Sequence, residues 1–120
     1  MASRTARLNP GPLAALSEPD LRDLFARSIS SRELVVSAGD ALVAINRLER
    51  AGVKVLGWEG WLQYNDGKRG HDARAQGTVD LSNLSVSEAA ELCRETIIKA
   101  SEEWASSPRN DAVRFYCITY

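Results

Sequence analysis

The chain has 120 residues, of which 44% are hydrophobic and 26% charged, and its 15 basic residues nearly balance its 16 acidic ones. These values are ordinary for one globular domain of about 100–150 residues and argue against bulk disorder. The net charge of -1 gives no support for direct nucleic-acid binding, which usually requires a basic excess.

The chain shows neither the apolar run of a secretory signal nor that of a membrane-spanning helix. We therefore expect a cytoplasmic protein without a membrane partner. Cys93 and Cys117 lie in apolar segments without ligand spacing, so we expect two buried, reduced thiols and no metal site. Dinucleotide and phosphate-loop motifs are absent, and we expect no cofactor.

The sequence of the N-terminal half predicts an arm followed by two helices. The Pro- and Gly-marked residues 1–16 predict a flexible arm, and 17–120 a single α/β domain. Ser17 as a cap and Pro19 in the first turn favour a short helix over about 18–29. Apolar residues at helical spacing predict a second helix over roughly 34–51, with Ser37 as an alternative start and Gly52 after its end.

Short β-branched and aromatic segments follow. Residues 53–57 predict a strand, and 58–64 continue it after a bulge or begin a second one. Asn65 to Lys68 is a hairpin-type turn, residues 68–77 resemble an exposed loop, and 78–81 form either a short strand or a lead-in to the next helix.

Ser85 and Glu88 form a capping box for a third helix over about 86–106, and residues 112–120 are the clearest strand. Two strands joined by a helix suggest a parallel pair, which intervening hairpins would make part of a mixed sheet. The sequence thus predicts an α/β (α+β) fold, with a small mixed sheet of three to five strands packed with about three helices.

Catalytic patterns are weak. His71 precedes Asp72, but adjacent residues do not orient each other as members of a triad do, and no nucleophile is signalled. The carboxylates Asp66, Asp72 and Asp80 are spread over the predicted loop without a spacing that pairs them. We therefore expect a protein that acts by binding and is not an enzyme.

Trp58-Glu59-Gly60-Trp61 with Tyr64 is the most unusual segment. In an extended chain Trp58 and Trp61 would face opposite ways, unless a bulge intervenes. Either one or both rings anchor the core, or the segment is a binding surface on which an exposed ring beside an acid anchors a protein partner. The Glu-rich face of the third helix has two interpretations as well, a solvated surface or an acidic patch for a basic partner.

The order of these features resembles small bacterial immunity proteins, namely those against transfer-RNA-cleaving colicins and those of contact-dependent growth inhibition systems. The resemblance covers Ala41 to Tyr120: a helix ending at Gly52, the strand at 53–57, the acidic Gly/Trp turn, a variable polar loop, a long acidic helix and the final strand. It implies an inhibitor that binds a basic nuclease toxin and blocks its active site. By position, the partner-binding residues that the resemblance implies are Trp58, Glu59, Trp61, Tyr64, Asp66 and Asp72.

Two other hypotheses remain open. One is an adaptor that binds a protein without neutralising it. The other is a small enzyme that uses His71 with nearby acids.

Overall fold

A computed structural model describes residues 19–77 and 80–120, apart from the side chain of Ala73. Within these ranges the chain forms three helices and four strands. Their bounds are α1 (Arg22–Arg27), β1 (Leu34–Val36), α2 (Ala38–Arg50), β2 (Gly57–Tyr64), β3 (Arg69–Gln76), α3 (Val86–Ser106) and β4 (Ala112–Thr119). None of these helices is long and apolar enough to cross a membrane.

The strands form one sheet in the order β1-β4-β2-β3, and each of its three pairings is antiparallel. The predicted fold class, a small sheet packed with three helices, is confirmed. The expected parallel pair is wrong for the described strands. The helix α3 connects β3 to β4, but β4 lies beside β1 and β2 and runs antiparallel to both.

The helices bury one face of the sheet. Their apolar side chains and those of β1, β2 and β4 form a single buried cluster, which includes Leu24, Ile45, Ile97, Trp58 and Tyr116. Trp58 of β2 and Tyr116 and Ile118 of β4 belong to this cluster, and because side chains alternate along a strand, the residues next to them lie on the opposite face.

Local capping sets the helix starts. Ser85 accepts from the backbone N–H of Glu88, whose carboxylate accepts from the backbone of Ser85, so the predicted capping box and the helix over 86–106 are confirmed. Ser37 accepts from the backbone of Asp40 at 3.2 Å and starts α2. The predicted helix start at 34 is therefore wrong, because 34–36 pair with β4 as a strand.

Two other assignments are wrong. Residues 53–56 form no strand: Val53 donates to the Leu48 carbonyl and ends α2, and β2 begins only at Gly57. Residues 69–76, predicted as a loop, form β3 and pair with β2. The predicted arm 1–16, the cap Ser17 and the pair 78–79 of the predicted strand 78–81 lie outside the described residues, and 80–81 are not a strand.

Candidate partner-binding face

The two tryptophans of β2 lie on opposite faces of the sheet, as their spacing predicts. Trp58 is opposite Ile118 on the helix-covered face, and Trp61 is opposite Phe115 on the other. The second face, here called the open face, carries Glu59, Trp61, His71, Phe115 and Cys117. Among the described residues, none of these five belongs to the cluster that the helices bury.

Trp58 is a core residue. Its side chain is buried, and its indole Nε1 donates to Thr96 Oγ1 on α3 at 2.8 Å. Its ring centroid lies 5.5 Å from that of Tyr116. These contacts join the sheet to α3, so Trp58 offers no surface to a partner.

Asp72 is buried as well, with 4% of its surface exposed. Arg114 donates from Nε to one of its oxygens at 3.0 Å, with Nη2 in an ion-pair contact 2.7 Å from the same oxygen, and the backbone N–H of Arg74 donates to the other at 3.1 Å. Burial alone would raise the pKa of the Asp72 carboxyl, but the Arg74 backbone bond and the Arg114 guanidinium together hold this pKa below its usual value. Asp72 is therefore the counter-ion of a buried arginine.

Tyr64 and Asp66 lie at the hairpin between β2 and β3, where they line a cleft of about 500 Å³. Asp66 accepts from the backbone N–H of Lys68 at 3.0 Å and so stabilises the turn, in which Gly67 adopts a φ of 89°. The guanidinium of Arg109 lies 5.5 Å from the centre of the Tyr64 ring. These two residues are away from the row of side chains around Trp61.

Glu59, Trp61 and His71 contact one another on the open face. One carboxylate oxygen of Glu59 lies 3.1 Å from Nδ1 of His71, and the other accepts from the indole of Trp61 at 3.5 Å. The rings of Trp61 and His71 are 5.2 Å apart. His71 therefore pairs with Glu59 rather than with its neighbour Asp72, which points to the opposite face.

Glu33, just before β1, brings a second carboxylate to this face. Its Oε1 accepts from Sγ of Cys117 at 3.8 Å. Burial of the Cys117 thiol, followed by the fields of Glu33 and Glu59, raises its pKa to about 12. The thiol beside the Glu59–His71 pair is thus protonated at neutral pH, whereas a cysteine nucleophile needs the thiolate.

Sequence reasoning missed Glu33, Phe115 and Cys117 as residues of the open face. Phe115 and Cys117 alternate along β4 with the core residues Tyr116 and Ile118. This alternation is visible in the sequence and indicates that both side chains lie on the face opposite the core. Glu33 carried no such signal because the segment after it was interpreted as a helix. Of the six residues implied by the resemblance, the structure brings together only Glu59 and Trp61.

Cys93 and Cys117 are both free and buried, which confirms the predicted burial of the two side chains. Within residues 19–77 and 80–120, no group of histidine, cysteine and carboxylate side chains has the arrangement to hold a metal ion. The open face thus carries the aromatic rings of Trp61 and Phe115 with the carboxylates of Glu33 and Glu59 on the same face.

The sequence matches no protein-family model, and comparison with curated proteins and with solved structures finds no match either.

Proposed function

We propose that the chain is an immunity protein that binds a cognate bacterial toxin, a nuclease with a basic active site, and neutralises it by covering that site with the open face. The observation that carries the proposal is the contact cluster of Glu59, Trp61 and His71 on the sheet face opposite the helices.

The cluster has the composition of a protein-binding hot spot. Trp61 and Phe115 are half-buried neighbours on adjacent strands and offer aromatic surface at low entropic cost. Glu59 is held by His71 and Trp61, so its carboxylate is oriented before a partner arrives. Such preorganisation favours affinity because less side-chain freedom is lost on binding.

Charge supports a basic partner. Glu33 and Glu59 put two carboxylates on the open face, and a nuclease must collect positive charge to hold the phosphates of its substrate. Complementary charges raise the association rate and select the partner. A protein that covers such a site excludes the nucleic acid from it.

The test is co-expression with the product of the gene adjacent to the one for this chain, if that product alone is toxic to the cell. We expect the wild-type chain to restore growth and to form a one-to-one complex. The double variant Glu59→Ala/Trp61→Ala removes the centre of the open face, and we expect it to lose protection while remaining folded by circular dichroism.

A matched double variant on α3, Glu91→Ala/Glu95→Ala, removes two exposed carboxylates from a different surface and is expected to protect like the wild type. Loss of protection in this variant alone would place the binding surface on α3 instead. A stable complex that leaves the toxin fully active would make the chain an adaptor.

The enzyme hypothesis has one observation in its favour, the carboxylate that contacts His71. His71→Ala separates the two functions. We expect this variant to weaken the toxin complex modestly, and a substrate whose turnover depends on His71 would overturn the assignment as an inhibitor.

A further inference from the structure

Two carboxylates reach the same point of the open face from opposite sides. Glu33 precedes β1 and Glu59 lies on β2, and these strands flank β4 on either side. The β1 and β2 backbones are two strand spacings apart, about 10 Å. Both side chains act on the Cys117 thiol between them, Glu33 through a direct contact and both through their charge.

These two charges are not neutralised by strong cations. In the part of the chain that the structure describes, Glu33 takes part in no ion pair, and Glu59 pairs only with His71. By contrast, the acids Asp23, Asp40 and Glu49 on the first two helices each have an arginine partner. Two like charges held across one strand repel each other, and a cation placed between them relieves that repulsion.

Aromatic rings adjoin this position. Phe115 is two residues before Cys117 on the same face of β4, and Trp61 is two residues after Glu59 on the same face of β2. The Trp61 indole already donates toward Glu59. A cation between the carboxylates therefore lies close to two aromatic side chains, and aromatic rings attract cations.

Arginine fits this arrangement better than lysine. A planar guanidinium has five N–H donors, so that it can hydrogen-bond to carboxylates on two of its edges at once and stack on a ring. Two carboxylates on either side of one strand offer acceptors to two such edges. An ammonium group is a compact point charge with a strong hydration shell, and it lacks the planar set of donors that a guanidinium presents.

We propose that the open face takes an arginine side chain of the partner protein, held between Glu33 and Glu59 and against Trp61 and Phe115. This inference rests on the proposed function, in that a partner docks on this face. It adds the chemistry of the anchor and gives Glu33 a role in it.

The test uses the full chain and a blocked peptide, acetyl-Gly-Arg-Gly-amide, followed by ¹H–¹⁵N NMR. We expect the peptide to shift the Trp61 indole signal and the Cys117 amide signal in a saturable manner. The same peptide with citrulline, which keeps the shape and loses the charge, is expected not to bind, and the lysine peptide to bind several-fold more weakly.

Glu33→Gln and Glu59→Gln keep the side-chain shape and remove one charge each. We expect either substitution to weaken binding of the arginine peptide about twofold to fivefold, as for the loss of one exposed charge pair. Glu102→Gln on α3 is the matched control and is expected to leave the affinity unchanged. Equal shifts from the arginine and citrulline peptides, or unchanged affinity in Glu33→Gln, would overturn the inference.

Toxin neutralisation is measured in parallel so that the two proposals fail separately. If the chain neutralises its toxin and Glu33→Gln does so equally well, the arginine anchor is wrong and the proposed function stands. If the peptide binds as expected but no toxin is neutralised, the anchor stands and the assignment as an immunity protein is wrong.

Discussion

Asp72 and Arg114 form an ion pair of which almost nothing is exposed. Their side chains are 4% and 7% accessible, and the Arg114 guanidinium stacks on the Trp104 ring at 4.6 Å. One Arg114 nitrogen, Nη1, has no hydrogen-bond partner among the described residues. Without Asp72, the remaining Arg114 charge would be buried and unpaired, which costs much more than the pair itself contributes.

Asp72→Asn is therefore expected to lower the free energy of unfolding by about 3–5 kcal/mol at pH 7. The pKa of Asp72 is lowered in the folded state, so its ionised form stabilises the fold above its unfolded pKa of about 4, and this contribution is lost as the pH falls below that value. The difference between wild type and variant should consequently shrink at pH 3. Urea titrations at pH 7 and pH 3 measure it.

Asp111→Asn is the control for this substitution. Asp111 also pairs with an arginine, but on the surface, where ion pairs contribute little. We expect a much smaller change in unfolding free energy than for Asp72→Asn. If the two variants lost the same free energy of unfolding, the buried pair would contribute no more to stability than the surface pair.

At the scale of elements, the β2–β3 hairpin depends on a close approach at Gly60. The register slips between Glu59 and Gly60, which pair with Gln76 and Asp72 respectively. Because of this slip Ala75 lies against Gly60. A Cβ at Gly60 would be 2.7 Å from the Cβ of Ala75 and 3.0 Å from its carbonyl oxygen.

Gly60→Ala is expected to destabilise the fold by about 1–3 kcal/mol, because neither the β3 backbone nor Ala75 can move without disturbing the ladder. Gly70→Ala in β3 is the matched control. Its nearest neighbour outside the adjoining residues would be a Tyr64 ring carbon at 3.8 Å, an ordinary contact. Thermal unfolding gives the midpoint temperature of each variant. Equal midpoints would show that the contact between Gly60 and Ala75 has room for a Cβ.

The same hairpin shows where sequence reasoning stops. The helix α3 and the strand β4 were predicted almost to the residue because their signals are local, a capping box and a β-branched, aromatic run. The strand β3 has the sequence RGHDARAQ, with few residues that favour strands. It forms because its backbone hydrogen-bonds to the adjacent strand β2. The antiparallel order depends on contacts distant in sequence, which no local pattern encodes.

At the scale of the whole molecule, the segment Trp58-Glu59-Gly60-Trp61 serves two sides of one sheet. Alternation along a strand was enough to predict that the two rings separate, but not which ring meets the helices. That choice follows from where α2 and α3 pack, with Thr96 of α3 beside the Trp58 indole. Within this short segment Trp58 contributes to the stability of the fold, whereas Trp61 belongs to the face on which we propose that a partner binds.

This division predicts opposite phenotypes for two similar substitutions. Trp58→Ala leaves a cavity between sheet and helices and removes the bond to Thr96, so we expect a loss of about 3–5 kcal/mol in unfolding free energy. Trp61→Ala removes a half-buried ring from the open face and is expected to cost about 1 kcal/mol or less. Chemical denaturation gives both values, and toxin protection is measured on the same preparations.

We expect Trp61→Ala to be stable but unable to protect, and Trp58→Ala to protect at low temperature, where enough of it is folded, and to fail on warming. The temperature series is the decisive control because a folding defect is reversed by cooling and the loss of a contact surface is not. A Trp61→Ala chain that protects fully would exclude the open face as the toxin contact, whereas a severe loss of stability in that variant would show that the ring belongs to a second core.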